Sequence, residues 1–300
     1  MWVGNEQFSQ HCEDNGIISE VDIPLEDAYA LEAYPEYNWV YDKRTICDYQ
    51  NIRWFPHGKA KPDFLPCFSK PFENLWGMGI DTALCEDVAD YNKAYKPAHI
   101  CMEVLTGEHT CIDVIVHDSK VYDWRYSKGH SMGNGKFSYW ESTEPSHAEE
   151  IELIGKRKFV LNFIDDKLSR HKGAVNFEFI GEKCIEVHLR PNVEMMFAWG
   201  LDYIKQLCHF SQPNGEWRTL RNIPTSYTFP VWGKSNKRYS MRKSMRDKFS
   251  VADGVNFVYY DIIDDCNANP PGGQRLAFVA GNDYAKCKQH AEELNDFFNG

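Results

Sequence analysis

The sequence predicts an α+β protein in which antiparallel strands and helices are packed around a sizeable core. Residues 173–180 and 184–192 both alternate apolar and polar side chains with period two, and Gly181-Glu182-Lys183 separates them, which is typical of a β-hairpin. Near the end of the chain, residues 274–281 read as a strand, and an amphipathic helical run follows from Tyr284 to Phe298, with Leu294, Phe297 and Phe298 predicted to face inward. The 300 residues are 43% hydrophobic, enough to form one large or two smaller globular domains.

Composition excludes several classes of protein. A formal net charge of −11 argues against general nucleic-acid binding, which depends on a basic surface. No apolar run reaches the length of a membrane span, and the N-terminus lacks the basic region and apolar core of a signal peptide. The ten cysteines are scattered without a C-x-x-C pair, and the histidines lack zinc-site spacing. We therefore expect a cytoplasmic protein with reduced, structural thiols.

In chain order, residues 1–40 form a polar, acidic segment, and Tyr41-Asp42-Lys43 begins a helix-like stretch. A predicted strand from Pro66 to Pro71 leads to a loop containing Gly77 and Gly79. A further strand covers residues 99–105, and after Gly107 an alternating strand from 110 to 116 ends in the turn Asp118-Ser119. These elements predict one α+β unit before residue 105 and a larger one after it.

Two basic stretches have two open interpretations each. Residues 125–136 read as a glycine-rich basic loop, which is either a solvated loop or a phosphate or substrate loop that uses Lys128 and His130. They do not form a P-loop, because five residues separate Gly129 from Gly135 and Phe follows Lys136. Residues 234–248 either attract anions or form the solvated face of a basic helix, in which Met241 and Met245 would pack on the core.

The hairpin carries the strongest chemical signal. A three-residue loop at 181–183 places Ile180 opposite Cys184, which pairs Glu178 with Glu186 and Asn176 with His188 on one face. Opposed carboxylates repel each other unless a cation lies between them, and oxygen ligands favour Mg²⁺ or Mn²⁺. The alternative is the solvated polar face of an ordinary hairpin.

These motifs, in this order, resemble the ATP-grasp superfamily, particularly the branch with biotin carboxylase, carbamoyl-phosphate synthetase and glycinamide ribonucleotide synthetase. In that branch the hairpin reads approximately G-x-x-x-F-E-F, a turn, and I-E-x-N-x-R. The resemblance implies that Glu178 and Glu186 bind the metal ions and that Arg190 stabilises the anionic reacting centre. His188 replaces the family's asparagine, the third ligand, for which Asn176 across the ladder is a possible substitute.

The resemblance also implies an ATP site. It assigns Lys43 and Lys70 to the nucleotide and its phosphates, the loop with Gly77 and Gly79 to a lid over them, and Glu108 to the ribose hydroxyls. It assigns Glu103 and the backbone of Val104 and Leu105 to adenine. The implied fold has two α+β subdomains, 41–105 as the lid and 106–300 as the C-terminal subdomain, whose antiparallel sheets clasp the nucleotide. Residues 1–40 then stand in place of the usual preceding domain, which implies either a reduced substrate site or a protein partner.

The implied activity is that of an ATP-dependent ligase for a small-molecule carboxylate and an amine or thiol. It acts through an acyl phosphate, releases ADP, and uses Mg²⁺ or Mn²⁺. Two alternatives stay open: a degenerate ATP-grasp protein with a nucleotide-binding, regulatory or structural role, and a phosphotransferase on the same fold. His188 favours the first alternative, whereas the presence of Glu178, Glu186, Arg190 and both lysines favours activity.

Overall fold

The structure is a computed structural model that describes residues 2–4, 6–73, 75, 79, 81–133, 136–220, 224–234, 237, 239–250, 253–261 and 275–300. The strands in this part of the chain are β1 (Trp2–Val3), β2 (Ile23–Pro24), β3 (Trp54–Pro56), β4 (Cys67–Pro71), β5 (Ala83–Cys85), β6 (His99–Glu103), β7 (His109–His117), β8 (Lys120–Gly133), β9 (Lys136–Ser142), β10 (Lys172–Ile180), β11 (Lys183–His188), β12 (Ser226–Trp232), β13 (Val255–Tyr260) and β14 (Arg275–Gly281). The helices are α1 (Glu6–Asp14), α2 (Asp27–Ala33), α3 (Lys43–Gln50), α4 (Val88–Lys93), α5 (His147–Lys167), α6 (Val193–Trp199), α7 (Leu201–Ser211), α8 (Lys243–Phe249) and α9 (Tyr284–Asn299), with a 3₁₀ helix at Pro35–Tyr41.

Two antiparallel sheets dominate the fold. The larger has eight strands in the order β11-β10-β7-β8-β9-β12-β14-β13, and the smaller has four in the order β3-β6-β4-β5. Strands β1 and β2 form a separate parallel pair. The chain thus combines helices with antiparallel sheets, which confirms the predicted α+β class.

The eight-stranded sheet is covered on both faces because its strands alternate in the way the sequence predicts. One face carries Val175, Phe177 and Phe179, which pack with Val160 and Phe163 of α5. A capping box at Ser146 and Glu149 starts that long helix. The opposite face packs against α1, α6 and α7, and the polar groups of β10 and β11 lie on it at the edge of the sheet.

The described residues of the N-terminal stretch, predicted to be a polar segment, contribute to this core. Phe8 of α1 is fully buried and meets both Trp2 and Phe197 edge to face. Leu25 is also buried in the same cluster. Nearly half of the residues in this stretch are hydrophobic, so its prediction as a polar segment is wrong, although its charged side chains are all acidic.

The hairpin register confirms the predicted pairs Glu178 with Glu186 and Asn176 with His188. The predicted three-residue loop is wrong, because Ile180 pairs with Lys183 and only Gly181-Glu182 form the turn. Phe179 pairs with Cys184, so Ile185 is the extra residue of a β-bulge that restores the register of the glutamates.

The predicted loop over residues 125–136 is also wrong, because strand β8 runs through it to Gly133. Its glycine is needed for packing: a Cβ on Gly129 would lie 2.7 Å from the ring of Phe137. Arg125, Lys128 and His130 each pair with an acidic side chain, so the glycine-rich basic composition that indicated a loop belongs largely to a strand.

At the end of the chain, β14 and α9 confirm the predicted strand and helix. Leu294 and Phe298 face inward as predicted, but Phe297 is 42% exposed, so its predicted inward position is wrong. The C-terminal end of α9 explains part of the basic stretch, since the amines of Lys234 and Lys237 donate to the carbonyls of Asn299 and Phe298.

The cysteines of the described residues lie in the protein interior. All nine cysteines among the described residues are buried and unpaired, and Cys266 lies outside the described part of the chain. No helix in the described ranges is both long and apolar enough to cross a membrane.

Candidate functional site

Three side chains of the hairpin converge at the edge of the eight-stranded sheet. Glu178 on β10 and Glu186 and His188 on β11 each offer one ligand atom, and these atoms lie within 4.8 Å of one another. The cross-strand pairing brings the two carboxylates together, and the period-two alternation puts His188 on the same face. Two carboxylates and an imidazole form a donor set that suits a divalent cation.

His188 is fixed by Asp27, a residue that no sequence motif marks. Its Nδ1 lies 3.0 Å from Oδ1 of Asp27, the first residue of α2, and both side chains are almost fully buried. The other ring nitrogen, Nε2, lies 3.3 Å from Glu178 Oε1 and 3.6 Å from Glu186 Oε2 without a hydrogen-bonded partner. Burial favours the neutral ring, but the Asp27 carboxylate outweighs it and raises the pKa of His188 to about 9.

Arg190 contacts the same carboxylate as His188, that of Asp27. Its Nη2 donates to Asp27 Oδ2 at 2.8 Å, and its Nη1 donates to the carbonyl of Pro191 at 3.1 Å. Burial acts to raise the pKa of Asp27, but Arg190 and His188 lower it to about 2. The Nε of Arg190 is buried and makes no hydrogen bond. One N–H of the guanidinium therefore has no hydrogen-bond partner.

Lys43 and Lys70 reach the site from helix α3 and from strand β4 of the smaller sheet. Lys43 is the first residue of α3, after the N-cap Asp42, and its Nζ lies 3.3 Å from Glu186 Oε1. Its backbone N–H donates to the carbonyl of Phe72, directly after β4. Lys70, on β4, is buried, which lowers its pKa, while the nearby Glu186 opposes that change. The structure thus brings both predicted lysines to the predicted carboxylates.

The side chain of Gln50 holds α3 against the edge strand. Its amide nitrogen donates to the carbonyl of Cys184 at 2.7 Å, and its carbonyl accepts from the Cys184 N–H at 2.9 Å. A single amide therefore satisfies both backbone groups of a residue on β11 and covers part of the exposed edge.

Glu178 has a second imidazole neighbour, His109, which no sequence motif marks. His109 Nε2 lies 3.2 Å from Glu178 Oε2. Burial alone would raise the pKa of Glu178, but the contacts with His109 and His188 hold it well below its usual range. Glu178 is therefore a carboxylate with one oxygen near each imidazole.

The side chain of Asn176 is hydrogen-bonded to a carboxylate on the neighbouring strand β7. Its Nδ2 donates to Oδ2 of the buried Asp113 at 2.9 Å, and the other carboxyl oxygen of Asp113 accepts from the Asn192 N–H at 2.7 Å. Burial raises the pKa of Asp113 to about 7. The Asn176 amide is thus already hydrogen-bonded to Asp113, and its role as a substitute ligand stays a prediction.

The residues assigned to adenine and ribose lie along the connection from β6 to β7. Glu103 ends β6 and accepts from the Arg53 N–H at 3.0 Å, Val104 is exposed, and Leu105 is partly buried. Glu108 pairs with Lys128 at 2.5 Å. The lid-loop residues Gly77 and Met78 lie outside the described residues.

Lys128 and His130 are not part of the carboxylate cluster. Lys128 pairs with Thr110, which pairs with Phe179, so it lies on the face of the sheet opposite Glu178. His130 lies 2.9 Å from Glu141 and stacks on the ring of Tyr139. Their proposed contact with phosphate or substrate stays a prediction.

Comparisons with known proteins agree with this architecture. No protein-family model and no curated protein sequence matches the chain. Among solved structures, an L-amino acid ligase from Bacillus licheniformis is similar over 97% of this chain and 82% of its own, with 12% identity and a TM-score of 0.62. An N5-carboxyaminoimidazole synthase from Aspergillus clavatus, in complex with ADP and 5-aminoimidazole ribonucleotide, is similar over 92% and 81% of the two chains, with 11% identity and a TM-score of 0.63.

A third similar structure is the biotin carboxylase domain of the 2-oxoglutarate carboxylase from Hydrogenobacter thermophilus, in complex with MgADP, ADP and bicarbonate. It matches 93% of this chain and 68% of its own, with 13% identity and a TM-score of 0.57. These neighbours are ATP-grasp proteins, and each is similar over nearly the whole of this chain. This protein therefore has the ATP-grasp fold.

Proposed function

We propose that the protein is an ATP-dependent ligase that activates a carboxylate as an acyl phosphate, releases ADP, and joins the acyl group to an amine or thiol. The observation that carries this proposal is the convergence of Glu178, Glu186 and His188 beside Lys43 and Lys70. A hairpin with only a structural role gains no stability from opposed carboxylates, whereas a nucleotide site needs metal ions and lysines close together.

The donor set supports a bound Mg²⁺ or Mn²⁺. His188 Nε2 is a buried polar atom without a hydrogen bond, and it points at two carboxylates. Glu178, Glu186 and His188 would hold the metal, with Asn176 as a further candidate. Such an ion neutralises charge on the phosphates and polarises the transferred phosphoryl group.

The remaining residues manage charge around the reacting atoms. Lys43 and Lys70 are proposed to bind phosphate oxygens, since both amines lie next to the carboxylate cluster and are shielded from water. Arg190, fixed by Asp27, offers its free Nε–H to the substrate carboxylate and later to the acyl phosphate. The γ-phosphoryl group moves to a carboxylate oxygen, and the amine or thiol then displaces phosphate at the carbonyl carbon.

The connection from β6 to β7 is proposed to hold the nucleoside. Glu103 and the backbone of Val104 and Leu105 would contact adenine, and Glu108 the ribose hydroxyls. In this proposal residues 41–105 act as the lid subdomain and residues 106–300 as the C-terminal subdomain. The similar structures with ADP, with MgADP and bicarbonate, or named as an amino acid ligase support small carboxylates or bicarbonate as the acid substrate.

Calorimetry of ATP binding with Mg²⁺ or Mn²⁺ tests the proposal. We expect metal-dependent binding that is lost in Glu186→Gln and in Lys70→Met. Lys59→Met is the matched control, because it removes an exposed lysine whose partner is Asp63. Binding that is unchanged in both site variants would refute the site assignment.

Product analysis then separates the reaction classes. A ligase releases ADP and phosphate and forms a conjugate only when acid and amine or thiol are both present, and Glu186→Gln should abolish turnover. ADP formation with a phosphorylated substrate that is never condensed would identify a phosphotransferase. ATP binding without ADP formation across the acid and amine pairs would favour the nucleotide-binding, non-catalytic alternative.

A further inference from the structure

The third ligand position holds an imidazole nitrogen, and this changes the chemistry of the site. Mg²⁺ binds oxygen donors almost exclusively and loses its water reluctantly. Imidazole suits Mn²⁺, Fe²⁺, Co²⁺ and other first-row transition metals. A site made of Glu178, Glu186 and His188 therefore has a donor set that is better matched to a transition metal than to Mg²⁺.

His188 is oriented for that role by a partner on its far side. A metal-binding histidine commonly donates its second N–H to a carboxylate, which fixes the ring and raises its basicity as a ligand. Asp27 Oδ1 occupies that position, 3.0 Å from Nδ1, and leaves Nε2 directed at the two glutamates. His188 is only 3% exposed and Asp27 only 2%, so neither contact is exchanged readily with water.

Asp27 is itself held rigidly. Its second oxygen accepts from Arg190 at 2.8 Å, so each carboxylate oxygen has one partner. The residue starts α2, and the neighbouring strand β2 pairs with β1. The N-terminal stretch thereby supplies a group to a hairpin more than 150 residues away in the sequence.

We propose that Asp27 positions His188 as a nitrogen ligand and that the site consequently prefers Mn²⁺ and similar transition metals over Mg²⁺. This inference rests on the proposed function, since it concerns the same metal site. Asp27 is a positioning residue, because it acts on the metal only through His188. The competing arrangement is a protonated His188 that stays paired with Glu178 and never binds the metal.

Electron spin-echo spectroscopy of the full chain with Mn²⁺ and ADP separates these arrangements, because a coordinated imidazole nitrogen modulates the echo of bound Mn²⁺. We expect this nitrogen signal in the wild-type protein and in His109→Gln, but not in His188→Asn. His109→Gln is needed because His109 also lies near Glu178. A signal that disappears only in His109→Gln would overturn the assignment to His188.

Calorimetry measures the preference itself. In the wild-type protein we expect ADP to bind roughly tenfold or more tightly with Mn²⁺ than with Mg²⁺, and His188→Asn should bring this ratio close to one. Asp27→Asn should weaken the Mn²⁺ complex by about 10- to 100-fold, the usual effect of losing such a partner. Asp123→Asn is the control, because Asp123 is another buried carboxylate paired with an arginine and lies on β8, which strand β7 separates from the hairpin.

The outcomes distinguish this inference from the proposed function. If ADP binds equally well with both metals in the wild type and His188→Asn changes nothing, the nitrogen ligand is refuted while the nucleotide site stands. If ADP binds with neither metal, the proposed function fails as well. Circular dichroism of each variant checks folding, and if Asp27→Asn does not fold, the His188→Asn result decides.

Discussion

Gly107 and Gly181 bring the connection between β6 and β7 into direct backbone contact with the turn of the β10–β11 hairpin. A Cβ on Gly107 would lie 2.6 Å from the Cα of Gly181, and a Cβ on Gly181 would lie 2.6 Å from the carbonyl oxygen of Thr106. The Gly181 N–H also donates to the carbonyl of Glu108 at 2.9 Å. The segment assigned to the nucleoside and the hairpin of the carboxylates therefore touch through main-chain atoms.

This contact predicts a clear penalty for a methyl group at residue 181. Gly181→Ala must adopt a φ of +55° and must also push the Thr106 carbonyl away. We expect the free energy of unfolding to fall by roughly 2 kcal/mol or more in urea denaturation. Gly16→Ala is the control, because Gly16 has a φ of +69° but open space around its Cβ position. Equal losses in the two variants would show that the contact adds nothing to the backbone strain.

The buried His171 predicts a loss of stability in mild acid. Burial lowers its pKa to about 4, and its ring packs edge-on against Tyr34 and Tyr37. In the unfolded chain the His171 imidazole takes up a proton near pH 6.5, whereas in the folded protein it does so only near pH 4. The stability contributed by the neutral, buried ring is therefore complete above pH 6.5 and is lost as the pH falls towards 4. The slope is about 1.4 kcal/mol per pH unit, or roughly 3 kcal/mol in total.

Denaturation of His171→Leu between pH 4 and 7 checks this prediction. The variant should lose less stability on acidification than the wild type. At pH 7 it should be less stable than the wild type, because the ring contacts with Tyr34 and Tyr37 are lost. The exposed His209→Gln serves as the control. An acid slope in His171→Leu equal to that of the wild type would contradict the assignment.

A second ion network predicts a large effect at Arg275. Its guanidinium donates to both carboxylate oxygens of Asp261 and also contacts Glu194. Removal of the arginine leaves two largely shielded carboxylates without their cation, so Arg275→Met should cost about 3 to 5 kcal/mol. The double variant Arg275→Met/Asp261→Asn should recover part of that loss in a double-mutant cycle. Lys59→Met, which breaks an exposed pair, should cost at most about 1 kcal/mol.

The Gln50 amide predicts a local effect at the hairpin. Gln50→Ala removes both hydrogen bonds to Cys184 and should lower the free energy of unfolding by about 1 to 3 kcal/mol. Hydrogen exchange should become faster at the Cys184 amide first, because the edge strand loses its cover there. Gln289→Ala is the control. In the described part of the chain, the side-chain amide of Gln289 bonds only to Glu293 on the same helix. Unchanged exchange at Cys184 would contradict the role of Gln50.

Much of the hairpin is predictable from local pattern. Period-two alternation and a turn glycine are enough to pair Glu178 with Glu186, and the structure confirms that pair. The bulge at Ile185 is not predictable in the same way, because it corrects for a turn one residue shorter than expected. Strand β8 is missed because glycine and basic residues indicate a loop, although Gly129 is there to accommodate Phe137 and Trp140.

The partners of the site are harder to predict because they come from distant parts of the chain. Asp27 stands among many acidic residues near the N-terminus, and its burial depends on contacts with His188 and Arg190. His109 is the first residue of strand β7, and the pairing of β7 with β10 places it beside Glu178. No local periodicity marks either residue, so only the tertiary structure identifies them.

The spread of the site along the sequence has a consequence for how the protein opens. Residues 27, 43, 70 and 178–190 meet at one place, although they come from the N-terminal stretch, from helix α3 with strand β4 of the smaller sheet, and from the edge of the larger sheet. A molecule bound there acts as a reversible cross-link among these three parts. Bound nucleotide should therefore slow proteolysis throughout all three at once, by mass action on their shared unfolding rather than by shielding individual cleavage sites.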